Sequence, residues 1–550
     1  MFASTSRRVF PTTLAMSVAL VLLIPASAGA EGTWSQRGST LLGTATGDRF
    51  GHAVSLDTDG DTVAIGAPDN NGGGSDAGHV QILRLSAGSW SLLGASLEGA
   101  AAEDYFGTAV SLSNDGTRVA VGAPFSGASD NGHVRVFEYS GGTWGLMGAA
   151  IDGEDAGEQA GSSVALSGDG STVVIGSPFN DDAGTDRGEV RVYRWNSGTT
   201  TWDRRGTVDL AGVRNSDRLG YSVAIDETGD MIAAGAREYD GPADDASRAG
   251  LVRVYRFDTG TSQWVQRGGD LVGEAAGDRL GASVSLDSAG DVVAIGAPKN
   301  TIGGSATDAG HTQVYAFDTG TSAWVQRGND IDGVAGDDSG TAVSISSDGT
   351  SVLVGSPGNN GDAGSANLYA WDGTAWAVSA PTRVGSADDE AGSAVSLSGD
   401  GNTVSVGLPE NDTTAANAGA VVVFGYTLTI TESAVAGTPG IYLHVAGPVG
   451  RTAAGSPVYY GSDRVAHTST YLLSITSPTG VVQRVLASGT VDARGNLEAM
   501  MRLPELAPGI YDVVMTGQHL GGHGLSLSAR ITVDDNGRIA TLGDNRPAVF

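Results

Sequence analysis

Cysteine is absent from the 550-residue sequence, which excludes disulfides, thiolate catalysis and cysteine-held metal together. Lysine is nearly absent too: Lys299 stands alone among the 31 basic residues, against 62 acidic ones. The resulting net charge of −31 repels phosphate backbones and anionic lipid, so nucleic acid is not expected as a partner. Proline is scarce at 17 residues and no long helix-forming stretch stands out, whereas glycine is abundant at 85. Glycine without collagen spacing, alongside 40% hydrophobic residues, points to many short strands joined by tight turns. Beyond the first thirty residues no apolar run approaches a membrane span, so none is expected in the mature chain.

Residues 1–30 read as an export signal. Arg7 and Arg8 supply the positive start, residues 14–24 an apolar core, and Ala26-Ser27-Ala28 or Ala28-Gly29-Ala30 the small-residue cleavage site. Ser6-Arg7-Arg8-Val9-Phe10 also resembles a twin-arginine signal, with Pro11-Thr12 in place of the usual continuation. An extracellular or cell-surface protein, exported by the Sec or twin-arginine route, is expected.

Past residue 30 the sequence repeats itself. One glycine recurs at Gly51, Gly107, Gly161, Gly220, Gly281, Gly340 and Gly392. Nine residues after each comes Gly60, Gly116, Gly170, Gly229, Gly290, Gly349 or Gly401, and fifteen after each comes Gly66, Gly122, Gly176, Gly235, Gly296, Gly355 or Gly407. Neither offset varies. Within one copy, Ala53-Val54-Ser55-Leu56 and Thr62-Val63-Ala64-Ile65 alternate larger with smaller or polar residues, as half-buried strands do. Asp59-Gly60 between them reads as a two-residue hairpin turn. A third strand such as His133-Val134-Arg135-Val136-Phe137 comes next, then a fourth with a tryptophan.

Seven such units cannot each bury a core alone, and radial packing makes them a seven-bladed β-propeller over residues 31–426. The register tryptophans are Trp34, Trp90, Trp144, Trp202, Trp264, Trp324 and Trp376, and the seventh unit lacks one of its own. The strand around Trp34 is therefore expected to complete the last blade and remove an exposed edge. The tryptophans are expected to pack between blades rather than to stack on sugars.

Phe50-Gly51 with Gly66-Ala67-Pro68, and Phe106-Gly107 with Gly122-Ala123-Pro124, resemble the FG-GAP repeats of integrin α-type propellers and their bacterial relatives. The phenylalanine is replaced by Ala160, Leu219, Leu280, Ser339 and Ala391, and the proline once by Arg237. The resemblance implies extracellular placement and a role in adhesion or ligand binding. Calcium-binding members carry an Asp-rich loop between the first two strands, and the fixed spacing here leaves room for a short turn only. Asp57, Asp59 and Asp61 are the nearest approach to it. In a flat hairpin they would alternate faces, so no cofactor is expected, with calcium as the disfavoured alternative.

From Thr427 to the end the repeat stops, and apolar strands separated by Gly, Pro, Asn and Asp turns indicate a small β-sandwich. The run from Leu506 to Val513 resembles a corner of bacterial immunoglobulin-like (Ig-like) accessory domains. The whole chain is thus expected to be all-β. His519 and His523 flank Gly521-Gly522 in a turn rather than a chelating helix, and His79, His133 and His311 share a repeat position that elsewhere holds Leu251 or Ala420. No catalytic motif appears among the repeats, so a non-enzymatic protein is expected. A polysaccharide-active enzyme and a self-associating surface protein are the alternatives.

The expected function is binding or adhesion by a monomer that presents a loop face to an extracellular protein or carbohydrate. Hairpins of constant length make one scaffold face; the loops between strands two and three vary in length and belong to the other. Those loops carry the candidate ligand-binding residues Asp69, Asp76, Asp130, Asp181, Asp182, Asp186, Asp240, Asp244, Asp245 and Asp308. The interblade linkers are expected to add Asp48, Glu103, Asp104, Asp217, Asp278, Asp337 and Asp338 to the same acidic surface.

Overall fold

The computed structural model describes residues 31–241, 247–382 and 385–429, and beyond them the backbone of the strands from Ile441 onward. The export signal expected over residues 1–30 lies outside the described residues.

Seven antiparallel sheets share one pattern. Blade 1 runs Ala53–Leu56, Thr62–Ala67, His79–Ser86 and Ser89–Leu92, and the short strand Leu97–Glu98 continues its outer edge beside Val80 and His79. The second strand is buried at every position, because both of its faces pack against neighbouring blades. The first strands form a ring about the axis, from Ala53–Leu56 through Ala109–Leu112 round to Ala394–Leu397, which touches Ala53–Leu56 again. In blade 7, Ala420–Thr429 pairs with Thr403–Leu408 on one side and with Glu31–Gln36 on the other, Trp34 opposite Tyr426. The ring is closed.

Two of the three fixed glycines meet at the hub. A Cβ on Gly66 would overlap the carbonyl of Gly107 in the next blade; Gly122 stands in the same relation to Gly161, and Gly407 to Gly51. Seven wedges converge there so closely that a side chain has no room. The remaining glycine closes the first hairpin, which differs from the sequence expectation. Strands end at Leu56 and resume at Thr62, leaving a five-residue loop rather than a two-residue turn over Asp59-Gly60. Gly60 is left-handed at φ 70, whereas Asp59 has no positive φ, so the primed turn is ruled out. The Asp57 carboxylate accepts the Thr62 amide at 3.1 Å, and Ser113 Oγ accepts the Arg118 amide at 2.9 Å in the next copy. Ser167 and Ser398 do the same for the amides of Thr172 and Thr403.

Six register tryptophans donate through Nε1, each at 2.7 Å, to a carbonyl of the preceding blade. They join blades. Beyond residue 429 the strands pair into a three-stranded sheet (Ile441–Val445, Pro457–Ser462, Leu497–Arg502) and a six-stranded one centred on Gly509–Gln518. The side chains there, and with them the expected Ig-like packing, lie outside the described residues.

Candidate binding face

Linkers and two–three loops are laced together at one end of the propeller. The amide of Tyr105 in a linker donates to the carbonyl of Asp76 in the preceding blade's loop at 3.0 Å. Arg218 does so to Asp186 at 3.1 Å, Asp338 to Asp308 at 3.0 Å and Arg49 to Asn417 at 3.1 Å, closing the circle. Both partners are left-handed, with φ 53 at Tyr105 and 51 at Asp76. Asp and Asn tolerate that conformation best among residues with a Cβ, so Asp76, Asp130, Asp186 and Asp308 have a backbone reason to be where they are.

The candidate aspartates do not converge on one point; they are dealt out blade by blade around the rim. Asp130, Asp181, Asp182, Asp240 and Asp308 are exposed, and Asp69, Asp76 and Asp186 half-buried. Asp181 accepts the Asp186 amide at 2.6 Å and Asp240 the Arg248 amide at 2.9 Å, so each shapes its own loop. Asp69 lies 3.7 Å from Arg49, and burial nonetheless pushes its carboxyl above the usual range. The Asp155 carboxyl is likewise raised, by burial and then by Asp182 beside it. Asp244 and Asp245 lie outside the described residues.

The linker carboxylates correct the expectation of a continuous acidic surface. Asp48, Asp104, Asp217, Asp278 and Asp337 are all buried, Asp48 with 1% exposure. Asp104 accepts the amides of Ala100 at 2.9 Å and Ala101 at 2.7 Å; Asp217 accepts those of Val213 at 2.8 Å and Arg214 at 2.6 Å. Each carboxylate sits three residues before the first fixed glycine and folds back on its own linker, a position filled elsewhere by the equally buried Glu158 and Asp389. Glu103 remains exposed, and Asp338 pairs with Lys299 at 2.6 Å.

An aromatic arc occupies the same rim and was missed from sequence. Tyr105 meets Phe125 with ring centroids 5.1 Å apart, and Phe125 is 38% exposed. The Arg218 guanidinium lies 4.6 Å from the Phe179 ring, and that of Arg237 lies 3.6 Å from Tyr221. Burial, reinforced by Asp76, Asp69 and Glu103, raises the Tyr105 hydroxyl. Phe125 and Phe179 directly succeed the proline of Gly-Ala-Pro and Gly-Ser-Pro, where other blades place Asp69, Lys299 or Glu410. That variation at a fixed place was the available signal.

Residues 41–83 and 97–137, within the first two blades, match the FG-GAP repeat family. The chain carries FG-GAP repeats within a seven-bladed propeller. Among curated proteins none matches it. Of solved structures, a provisionally assigned 6-phosphogluconolactonase from Bacteroides uniformis is 11% identical at TM-score 0.41, covering 76% of this chain and 95% of its own. The periplasmic gluconolactonase of Pseudomonas aeruginosa is 15% identical at TM-score 0.44, covering 64% and 97% respectively. Likeness this remote carries no argument about chemistry.

On the hairpin face of the propeller, Asp57, Asp59 and Asp61 correct a second expectation. The five-residue loop curls, so their carboxylate oxygens lie within 4.8 Å of one another instead of on alternating faces. Burial, then Asp59 and Asp61, pushes the Asp57 carboxyl up to about 6, although the Thr62 amide holds it. One oxygen of the Asp57 carboxylate is already engaged by the Thr62 amide.

Proposed function

We propose that the chain is an exported binding protein that meets an extracellular protein or carbohydrate through the loop face of its propeller. The observation that supports this most is the arc of Tyr105, Phe125 and Phe179, bordered by the carboxylates of Asp69, Asp76 and Glu103. An exposed ring offers a stacking face, and carboxylates beside it accept hydrogen bonds from hydroxyl or ammonium groups. The rim stands on a closed scaffold, so its loops are held ready rather than ordered on binding. FG-GAP repeats are typical of extracellular proteins, and among the described residues no helix is long and apolar enough to cross a membrane. A binding role rather than a catalytic one is supported by the way Asp181 and Asp240 accept amides of their own loops.

Glycan and protein arrays probed with the mature chain supply the test. A ligand so found should bind a Tyr105→Ala/Phe125→Ala variant about tenfold or more weakly, and an Asp115→Asn/Asp169→Asn variant of the hairpin face as tightly as the parent. Equal binding by parent and Tyr105→Ala/Phe125→Ala removes the rim as the site.

A further inference from the structure

Among the interblade crevices, one is built differently from its neighbours. In blades 2, 3 and 4 the third strand carries an arginine at one fixed position, Arg135, Arg191 and Arg253, and in blades 3 and 4 it neutralises the carboxylates around it. Arg191 pairs with Glu158, with Glu154 at 3.3 Å and with Glu189 at 3.5 Å. Arg253 grips Asp270 through Nε at 2.8 Å and Nη2 at 3.0 Å. Blade 5 has Gln313 there, yet keeps the acids: Asp330 stands where blade 4 has Asp270, and Glu274 enters from the linker between blades 4 and 5. Neither Glu274 nor Asp330 makes an ion pair with arginine or lysine among the described residues.

In place of the guanidinium, His311 reaches the same space. It is 1% exposed; its Nε2 has no hydrogen-bond partner, and its Nδ1 lies 3.7 Å from Asp330 Oδ2, too far for a hydrogen bond. Blade 4 has Leu251 at that position. One donor atom each from Glu274, His311 and Asp330 falls within 4.8 Å of the others. The carboxylates are held from behind. Gln313 Nε2 donates to Glu274 Oε1 at 3.2 Å while Gln313 Oε1 accepts the Tyr315 hydroxyl at 3.0 Å, and Gln326 Nε2 donates to Asp330 Oδ1 at 2.5 Å. Tyr315 senses the imbalance: burial, Asp330 and Glu274 push its hydroxyl up to about 12, with no cation opposing them.

We propose that Glu274, His311 and Asp330 form a site for a divalent transition ion, of which zinc is the best match. One imidazole nitrogen and two carboxylate oxygens are the donor set such ions take, and bonds of about 2.0–2.2 Å place neighbouring ligands about 3.5 Å apart. A small closure of the present spacing achieves that. The ion supplies the positive charge that Arg191 and Arg253 supply in blades 3 and 4. Glu274 is exposed, so the fourth position is open to water. Bound there, the ion clips the linker between blades 4 and 5 to the third strand of blade 5.

Titration of the purified, chelator-stripped chain with Co2+, monitored by visible absorption, and with Zn2+, monitored by calorimetry, tests this. The parent should bind one ion that Glu274→Gln and His311→Gln each weaken about tenfold or more, while His133→Gln, at the same place in blade 2, leaves it intact. Should His311→Gln misfold, Glu274→Gln on the exposed linker and Asp330→Asn carry the comparison. Absence of binding by the parent, or equal binding by Glu274→Gln and the parent, overturns the site.

Discussion

The indole Nε1 of Trp90 donates to the backbone carbonyl of Arg37 at 2.7 Å, tying blade 1 to a strand that belongs to blade 7. The Arg37 guanidinium in turn donates to Thr403 Oγ1 at 2.7 Å and to the Gly60 carbonyl at 2.9 Å. The residue that follows the N-terminal strand thus holds both sides of the seam. Arg267 and Arg327 repeat the arrangement, accepting from Trp324 and Trp376 and donating to the Gly290 and Gly349 carbonyls.

Trp90→Phe removes the donor and leaves a partly buried carbonyl unpaired. A loss of about 1–3 kcal/mol in urea unfolding is expected. Unfolding curves that superpose on the parent contradict the role of this bond.

Deleting residues 31–43 uncovers the edge of Ala420–Thr429 from Glu31–Gln36 and deprives Trp90 of its acceptor. The shortened chain should melt at markedly lower temperature and aggregate through the freed edge. Scanning calorimetry with light scattering measures both; an unchanged melting temperature argues against closure by this strand.

Gly296→Ala places a Cβ on the Gly340 carbonyl of the next blade, whereas Gly269→Ala meets nothing within 4 Å and has no positive φ. The first should lower stability by several kcal/mol and the second scarcely change it. Equal thermal shifts for the two would remove the hub-crowding account of the fixed glycines.

These glycines explain why the fold was legible in the sequence. A spacing that never changes reports a contact that cannot change, and the hub contacts of Gly66 with Gly107 and of Gly407 with Gly51 are of that kind. The site was less legible for the same reason. Asp104 and Asp217 also keep a fixed offset, but spacing alone does not say whether a carboxylate faces water or turns onto its own linker amides. Their equivalence with Glu158 and Asp389 was the mark of a backbone duty. The pairing of Tyr105 with Phe125 joins a linker to a loop twenty residues on, so neither residue alone announces it.

Asp57 and Asp287 occupy one repeat position, and burial pushes both carboxyls up to about 6 from an ordinary 3.8. The folded state therefore holds these protons more tightly than the unfolded chain. The stability they contribute is complete below about pH 4 and is lost as pH rises through about 6. Asp287→Asn keeps an acceptor for the Asp291 and Val292 amides and carries no charge to bury. Its melting temperature relative to the parent should rise between pH 4 and pH 7; a relative fall over that window contradicts the assignment.

Hydrogen–deuterium exchange of the mature chain, free and saturated with a ligand found by array, tests the loop-face account most directly. The account predicts protection in loops 69–78, 125–132 and 179–188 and in linker 99–107, with hairpins 57–61, 113–117 and 167–171 unchanged. Protection confined to the hairpins, or chemical conversion of the ligand during the measurement, would contradict it.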